Sequence, residues 1–405
     1  MKATNLKVTL LPHTPFLLED GKFDLKRAMS YQGQIGGICY SEDGLMASFS
    51  ENEEKTEKRV NGTTSGEHQT VFEHVNVGLY LQDSPKFLNM ILNNEHQYST
   101  SERSLRYTTI KEWELPSTFI EFYNKWNDIF FAKIKSAYGG IKSDKQIMKL
   151  AMENSRYLMP VTIPTEMVHT LPLAQLNRVT NYLMDYRDNG VNGKKDNLHE
   201  QMVPYIDEFI GQLREANVID DRLLSNRKHR SLSIFGEDLK NTERYFGDVY
   251  STVYESSFAS LAQAQRHRTI YYQMERLNDD EISYFVPPII SDDPMLTSMW
   301  FEDNQYLAKE FGTIPQSEKV IVSEKGTFDN FVMKMKERLC SAAQLEVAMQ
   351  TEETRDEYYN YLVEQGNDKV SKIEPYMNGA RCTFPDYDCP KDCGFKEGKL
   401  LVRKI

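Results

Sequence analysis

The sequence has no apolar run of about 18 residues, which is roughly the shortest length typical of a membrane-spanning helix. Its mean hydropathy of -0.58 also argues against a membrane protein. No apolar stretch of about 7–15 residues with a small-residue cleavage site lies near the start, so no secretory signal is expected. The five cysteines are an odd number, lie mostly near the C-terminus and do not resemble a disulfide framework. A reducing, cytoplasmic setting is therefore expected.

Positive charge is also scarce, because 48 basic residues stand against 60 acidic ones and the net charge is -12. A protein that coats nucleic acid needs a basic face, so no nucleic-acid partner is expected. A small phosphorylated ligand held by a few local arginines remains compatible with this balance. The hydrophobic share of 40% and the charged share of 27% are ordinary for a globular protein and exclude wholesale disorder. The length of 405 residues suggests two or three domains.

Residue patterns along the chain predict a repeated order of elements. Alternating apolar residues over 75–81 predict a strand with one buried face, and the polar stretch 51–67 is interpreted as a surface loop. Residues 165–187 are predicted to be largely helical, and residues 327–350 to form one amphipathic helix. The charged, unpatterned stretch 216–233 is the candidate linker, and beyond it the order of strand, helix and polar loop restarts.

Five short segments contain residue types that could carry chemistry. Arginine side chains bind carboxylate and phosphate in bidentate fashion, and hydroxyl groups next to them suit a nucleotide. Taken singly, each segment has a plainer interpretation, either a solvated basic patch or an ordinary helix start. The segments are HQTVFEH (68–74), STSERSLRY (99–107), SRYLMP (155–160), QAQRHR (263–268) and RLCSAAQLE (338–346).

Together these segments resemble the flavin-dependent thymidylate synthases, whose signature RHRxxSxNxxSxR is preceded by HxTxFEH and followed by ARxxLP and RLxxxAQxEI. The first half keeps the later part of the signature in SERSLRY, with Ser101 where asparagine is usual. It has Asn94–His96 where the basic triplet is expected. The second half keeps the triplet as Arg266–Arg268, with Gln263 three residues earlier. Its positions for the later serines and arginine hold other residues: Tyr271, Arg276 and Asn278.

The downstream segments divide between the halves in the same way. SRYLMP keeps Arg156, whereas the corresponding FGTIP has Phe311. RLCSAAQLEV keeps Arg338 and the glutamine and glutamate of the family segment, Gln344 and Glu346, whereas the first half offers only Arg187 in YRDNG. We interpret these complementary losses as two tandem copies of one domain, residues 1–225 and 226–405, that build a composite site. Random decay after duplication is the alternative.

The resemblance implies an α/β (α+β) fold in which each copy is a curved, mostly antiparallel sheet packed with helices. It also implies FAD bound without a Rossmann domain, which agrees with the lack of GxGxxG and P-loop motifs in the sequence. Family members are homotetramers, so a duplicated chain is expected to form a homodimer that acts as a pseudo-tetramer. No membrane partner is expected.

The implied reaction is FAD-dependent one-carbon transfer to C5 of a uridine nucleotide. Its simplest form converts dUMP to dTMP with methylenetetrahydrofolate as carbon donor and NADPH as reductant. Two alternatives remain open. One is a related C5 modification, such as hydroxymethylation, of dUMP or another pyrimidine nucleotide. The other is an inactive homologue that serves as a nucleotide-binding or structural subunit.

The resemblance also implies roles for individual residues. Arg338 would face the pyrimidine, where a fixed positive charge favours the enolate-like form and makes C5 nucleophilic, with Ser104 as the other catalytic residue. The implied flavin contacts are His68, Thr70, Glu73, Arg266, His267 and Arg268. The implied nucleotide contacts are Glu102, Ser104, Arg106, Arg156, Gln263 and Arg338. A plainer interpretation of His68 and His74 is that they are satisfied strand or turn histidines.

The C-terminal cysteines raise the separate question of a metal site. Four thiols can form a tetrahedral zinc site, and the Gly/Pro/Asp-rich tail would gain order from one. The spacing is not that of a standard zinc knuckle, so independent buried or free thiols are the alternative. The candidate ligands are Cys340, Cys382, Cys389 and Cys393.

Overall fold

The computed structural model describes residues 4–66, 68–106, 108, 110, 115–224, 230–278, 280–389, 393 and 403–405. The strands are β1 Lys7–Leu10, β2 Asn76–Pro85, β3 Ser99–Glu102, β4 Pro164–Pro172, β5 Tyr245–Phe246, β6 Val249–Ser257, β7 Tyr271–Arg276 and β8 Lys319–Thr327.

The helices fall between and after these strands, and none of the described ones is long and apolar enough to cross a membrane. They are α1 Leu25–Gly36, α2 Leu45–Phe49, α3 Glu53–Ser65, α4 Lys86–Asn94, α5 Ser117–Tyr138, α6 Asp144–Ser155, α7 Leu173–Asn189, α8 Asn197–Glu215, α9 Phe258–Ala264, α10 Pro288–Ser291, α11 Pro294–Phe311, α12 Phe328–Arg338, α13 Leu345–Glu364 and α14 Val370–Ile373.

The strands form two four-stranded sheets with the same topology. The orders are β1-β2-β4-β3 and β5-β6-β8-β7, and every pairing is antiparallel. In both sheets a helix follows the second strand directly, α4 after β2 and α9 after β6, and another follows the last strand, α7 after β4 and α12 after β8. The prediction of a mixed fold with antiparallel sheets and helices is confirmed.

The chain divides into two compact units. Unit 1 comprises residues 1–103 and 164–232, and unit 2 comprises residues 104–163 and 233–405. The first sheet belongs to unit 1 and the second to unit 2. The predicted boundary between residues 225 and 226 lies outside the described residues, so it stays a prediction.

Strand β4 corrects the prediction that residues 165–187 are largely helical. Side chains alternate in burial along this strand, with Thr165, Met167, His169 and Leu171 all buried. The alternation is weak in the sequence because two of the four buried side chains are polar. The helix begins only at Leu173, after the strand ends.

Helix α3 corrects the prediction of a loop over residues 51–67. The Asn52 side chain caps the helix by accepting a hydrogen bond from the Lys55 backbone N–H at 2.9 Å. Thr56, Val60 and Thr64 are buried at spacings of four residues and form one helical face. Only one of these three is apolar, so hydrophobic periodicity did not indicate the helix.

The predicted helix over residues 327–350 is in fact two helices. Helix α12 ends at Arg338 and α13 begins at Leu345. The backbone at Leu339 and Gln344 leaves the helical region of φ/ψ space, so residues 339–344 form a loop. Cys340 therefore lies in this loop and not on a helix.

Within unit 2 the segment SRYLMP pairs with FGTIP, the segment interpreted from the sequence as its counterpart. Pro160 of SRYLMP and Pro315 of FGTIP form an antiparallel bridge, and the Ser317 N–H donates to the Tyr157 carbonyl at 2.8 Å. Contact between equivalent positions is typical of a two-fold interface. The pairing explains why residues 104–163 cluster with the second half of the chain.

Two tryptophans form the centre of a hydrophobic core in unit 2. Trp126 on α5 and Trp300 on α11 are fully buried and meet edge to face, with ring centroids 4.7 Å apart. Phe130 adds a second edge contact to Trp300 at 5.5 Å. The Trp300 ring N–H donates to the Phe285 carbonyl at 2.9 Å, so its polar atom is also satisfied. This core fixes α5, and with it the segment that leads to Arg156.

We predict that Trp300→Ala lowers the free energy of unfolding of unit 2 by about 3–5 kcal/mol, since it opens a cavity between tightly packed rings. Urea denaturation of the full chain measures the loss. Met295→Ala on the same helix is the control, because this side chain is 73% exposed and its loss is expected to cost at most about 0.5 kcal/mol. Equal midpoints for the two variants would contradict the central role of this core.

Candidate active site

Three arginines from separate segments meet in unit 2. Arg106 lies in the first-half signature segment STSERSLRY, Arg156 directly follows α6, and Arg338 is the last residue of α12. Arg106 and Arg156 are each 7% exposed, and the side chain of Arg338 is 11% exposed. Two of these residues come from the first half of the sequence and one from the second. The structure therefore brings together predicted site residues from both halves.

Arg106 lies at the centre of this cluster. Its Nε atom is 2.6 Å from Glu153 Oε2, and its Nη2 donates to the Ala342 carbonyl at 3.0 Å. Burial lowers the pKa of Arg156 and Arg338, and repulsion from Arg106 lowers both further. The charge of Arg106 thus acts on both neighbouring guanidinium groups.

The other two arginines lack close carboxylate partners. Among the described residues Arg156 forms no ion pair; its Nη2 donates to Gln344 Oε1 at 2.7 Å, and its buried Nε finds no acceptor. Arg338 Nη2 is 3.7 Å from Glu337 Oε2, a carboxylate on a side chain that is 51% exposed, and the Arg338 Nε also has no acceptor in the described part of the chain. Buried charge that is not neutralised is costly, so the cluster is suited to an anion.

A chain of buried hydrogen bonds that begins at Gln344 holds the Arg156 guanidinium in place. Gln344, which accepts from Arg156, donates its amide N–H to the Tyr157 hydroxyl. That hydroxyl in turn donates to Glu346 Oε2 at 2.8 Å. Glu346 also accepts from the Ser257 backbone N–H at 2.7 Å and from its hydroxyl at 2.5 Å. Since all of these groups are buried, the chain fixes the orientation of the Gln344 amide and so of Arg156.

The corresponding arginine of the first sheet has a different environment. Arg187 lies in the last turn of α7, which follows β4 as α12 follows β8. Its guanidinium is 2.8 Å from Asp188 and 3.2 Å from Asp207, and the hydrogen bond to Asp188 is the main cause of its raised pKa. Arg187 is therefore neutralised locally, whereas Arg338 is not.

The intact basic triplet lies in the loop after α9. His267 is buried, Arg266 is half-buried and Arg268 is exposed. The His267 Nδ1 is 3.1 Å from Glu337 Oε2, and its Nε2 has no partner among the described residues. Because a carboxylate only accepts, the proton is assigned to Nδ1, which leaves Nε2 as an acceptor.

The remaining predicted residues of unit 2 lie on or near the same elements. The Ser104 hydroxyl accepts a hydrogen bond from the Arg106 backbone N–H at 3.3 Å, so it shapes the turn that carries this arginine. Gln263 is half-buried on α9, three residues before the triplet.

Four predicted residues belong to unit 1. His68 and Thr70 are exposed, and His68 and His74 flank the short 3-10 turn Gln69–Glu73. Glu73 is 2.5 Å from Arg178 Nη2. Glu102 Oε1 is 2.7 Å from the Lys86 ammonium. Both glutamates are thus paired with cations of their own unit.

The four predicted zinc ligands lie in the loop 339–344 and in the C-terminal segment. Among the described residues no group of three His, Cys, Asp or Glu side chains is placed to hold a metal ion. Cys340, Cys382, Cys389 and Cys393 are all of intermediate exposure. The zinc site and its alternative of independent thiols both stay predictions.

Sequence reasoning did not include several residues that complete the site. Glu153 pairs with Arg106, and Tyr157 and Glu346 belong to the hydrogen-bond chain. The signal for Tyr157 and Glu346 was present, since both lie inside the quoted segments SRYLMP and RLCSAAQLE. Glu153 lies outside every quoted segment, and only its burial on α6 marks it.

Comparison with known proteins gives a family match for part of the chain. Residues 29–188 match the family model described as thymidylate synthase complementing protein, which confirms the resemblance to flavin-dependent thymidylate synthases for this segment. No curated relative matches the chain by sequence.

The chain is also similar to two solved structures of PolB, a UMP/dUMP methylase from Streptomyces cacaoi. The structure bound with 5-Br dUMP is 12% identical with a TM-score of 0.35, and the likeness covers 55% of this chain and 98% of that chain. The structure bound with 5-Br UMP is 13% identical with a TM-score of 0.31, and the likeness covers 53% of this chain and 95% of that chain.

We predict that His267 is neutral at pH 7, since burial lowers its pKa below the ordinary 6.5 against the attraction of Glu337. Glu337→Gln removes that attraction and is expected to lower the pKa further. Histidine-selective NMR titration measures the shift. Because the unfolded chain binds this proton more readily, His267 reduces stability as the pH falls below about 6.5.

The control for this titration is Asp329→Asn, which removes a carboxylate from the first turn of the same helix. It is expected to leave the pKa of His267 unchanged. A rise of this pKa in Glu337→Gln would contradict the assigned hydrogen bond.

Proposed function

We propose that this chain transfers a one-carbon unit to C5 of a uridine nucleotide with FAD as cofactor. The match of residues 29–188 to the thymidylate synthase complementing protein model supports this proposal. The simplest form of this reaction converts dUMP to dTMP. The observation that carries the proposal is the group of buried arginines in unit 2 that have few carboxylate partners.

A nucleotide monophosphate supplies the charge that this cluster lacks. Arg106 and Arg156 are assigned to the phosphate, because guanidinium groups bind phosphate in bidentate fashion. The unsatisfied Nε of Arg156 is a donor that such a ligand can use. Glu153 neutralises only one of the two charges, so one positive charge is left for the ligand.

Arg338 is assigned to the pyrimidine ring. Its positive charge stabilises the negative charge that develops on the base oxygens when C5 acts as a nucleophile. The desolvation that lowers its pKa also strengthens this interaction, because the surrounding dielectric is low.

The triplet Arg266–Arg268 and the unit 1 residues His68, Thr70 and Glu73 are assigned to the flavin. The residues of unit 2 fit such a group, since the buried His267 Nε2 can accept a hydrogen bond and has no protein donor in the described part of the chain. Bound FAD supplies redox and one-carbon chemistry that side chains do not provide. The protein residues bind and orient the reactants, and a neutral His267 adds no charge beside Arg266 and Arg268.

The proposed reaction replaces the C5 hydrogen of dUMP by a methyl group. Methylenetetrahydrofolate would give the carbon and leave as tetrahydrofolate, NADPH would supply the hydride equivalent with FAD as redox cofactor, and one proton would be consumed overall. The products are dTMP, tetrahydrofolate and NADP+.

We further propose that the chain arose by tandem duplication, with copies of residues 1–225 and 226–405, and that it forms a homodimer equivalent to a family tetramer. The shared strand order of the two sheets and the pairing of SRYLMP with FGTIP support the duplication. The different environments of Arg187 and Arg338 support one composite site per chain.

The experiment is to load the full chain with FAD, add NADPH, methylenetetrahydrofolate and a panel of pyrimidine nucleotides, and identify the products by mass. We expect a flavin absorption band and a product methylated at C5. Arg338→Gln is expected to lower kcat by about 100-fold or more, because a charge that stabilises the transition state is lost.

Arg187→Gln is the matched control, since it changes the arginine at the corresponding helix of unit 1 and is expected to leave kcat within about twofold. A colourless protein that FAD does not restore would overturn the proposal. A hydroxymethylated product would favour the related C5 modification. Flavin and nucleotide binding without turnover would favour an inactive homologue.

A further inference from the structure

A fourth arginine reaches the same loop from a part of the chain that no family segment covers. Arg403 Nη1 donates to the Cys340 carbonyl at 3.0 Å, and its Nη2 donates to the Ala343 carbonyl at 2.6 Å. Arg106 donates to Ala342, between these two positions. The loop 339–344 thus accepts hydrogen bonds from two arginines, one that precedes it in the sequence and one that follows it.

The charge of Arg403 has no carboxylate partner within the part of the chain that the structure describes. Among the described residues its guanidinium contacts only backbone carbonyls, the third being that of Ile405, which accepts from Nε at 2.6 Å. Each terminal nitrogen carries two N–H groups, so each has one left for a further acceptor. Burial lowers the pKa of Arg403, and repulsion from Arg106 adds to this effect against the attraction of Glu153.

The neighbours of Arg403 hold it in place. Ile405 is buried in the hydrophobic core of unit 2 that contains Trp126 and Trp300. The Lys404 backbone N–H donates to the Tyr138 hydroxyl at 3.1 Å, and its ammonium pairs with Asp292. The contacts of the two residues that follow Arg403 therefore restrain the position of its guanidinium, which favours a binding role.

We propose that Arg403 is a fourth arginine of the anion site and binds the phosphate of the nucleotide together with Arg106 and Arg156. The inference rests on the proposed function for the identity of the ligand. Glu153 is the only carboxylate that pairs directly with any of these three arginines among the described residues. A phosphate, with nearly two negative charges at pH 7, balances the remaining two positive charges.

A purely structural role is the competing explanation, in which Arg403 only holds the loop 339–344. The two roles differ in what they do to ligand binding. Loss of a loop clamp would weaken a nucleoside and its nucleotide alike, since both depend on the same loop. Loss of a phosphate ligand would weaken only the phosphorylated compound and would reduce the salt dependence of its binding.

The experiment measures binding of dUMP and deoxyuridine to the FAD-loaded full chain by titration calorimetry at two salt concentrations. Arg403→Gln is expected to raise the Kd for dUMP at least tenfold, to leave that for deoxyuridine within about twofold and to reduce the effect of salt. Arg403→Lys, which keeps the charge, is expected to lose less affinity. Lys309→Gln is the control, since this exposed lysine on α11 of the same unit has no assigned role in the site, and it is expected to bind both compounds as the unchanged protein does.

Equal loss for both compounds, or no loss for either, would overturn the proposal. The rise in Tm that inorganic phosphate causes distinguishes failure of this proposal from failure of the proposed function. If the chain binds no uridine compound, the proposed function fails, whereas a rise in Tm with phosphate that disappears in Arg403→Gln still supports the anion site. If Arg403→Gln does not fold, the same comparison is made with Arg403→Lys, for which a smaller loss confined to dUMP would support the proposal, and equal loss for both compounds, or no loss for either, would overturn it.

Discussion

The rest of the site depends on the ion pair between Arg106 and Glu153. Glu153 balances the charge of the buried Arg106 guanidinium. Repulsion from Arg106 in turn lowers the pKa of Arg156, Arg338 and Arg403. Because Glu153 is the one carboxylate among the described residues that pairs closely with this group of arginines, the group retains buried positive charge that favours an anionic ligand. Bulk charge gives the opposite impression, since the whole chain has a net charge of -12.

The two sheets show how one topology can support two electrostatic environments. The helix after the last strand carries an arginine at or near its C-terminus in both cases, Arg187 in unit 1 and Arg338 in unit 2. Aspartates beside Arg187 raise its pKa, whereas burial lowers that of Arg338. The two sheets thus share a strand order, whereas the electrostatic environment of this arginine differs between them.

Backbone groups and neutral side chains position the arginines. Gln344 links Arg156 to Tyr157, and Tyr157 links Gln344 to Glu346, which is anchored on Ser257. These contacts join a segment of the first half to the start of α13 in the second. Rigid placement of this kind lowers the cost of reorganisation when a ligand binds.

The sequence by itself determined the mixed α/β class, the family segments and most arginines of the site, because strand alternation and motif spacing are local properties. It did not determine helix α3 or strand β4, where polar residues obscure the periodicity, or the break after Arg338, which no proline or glycine marks. Only the tertiary structure decided that Glu153 pairs with Arg106 and that Arg403 joins the same loop. These partners are distant along the chain or carry no motif, and burial and charge balance arise only when the segments pack together.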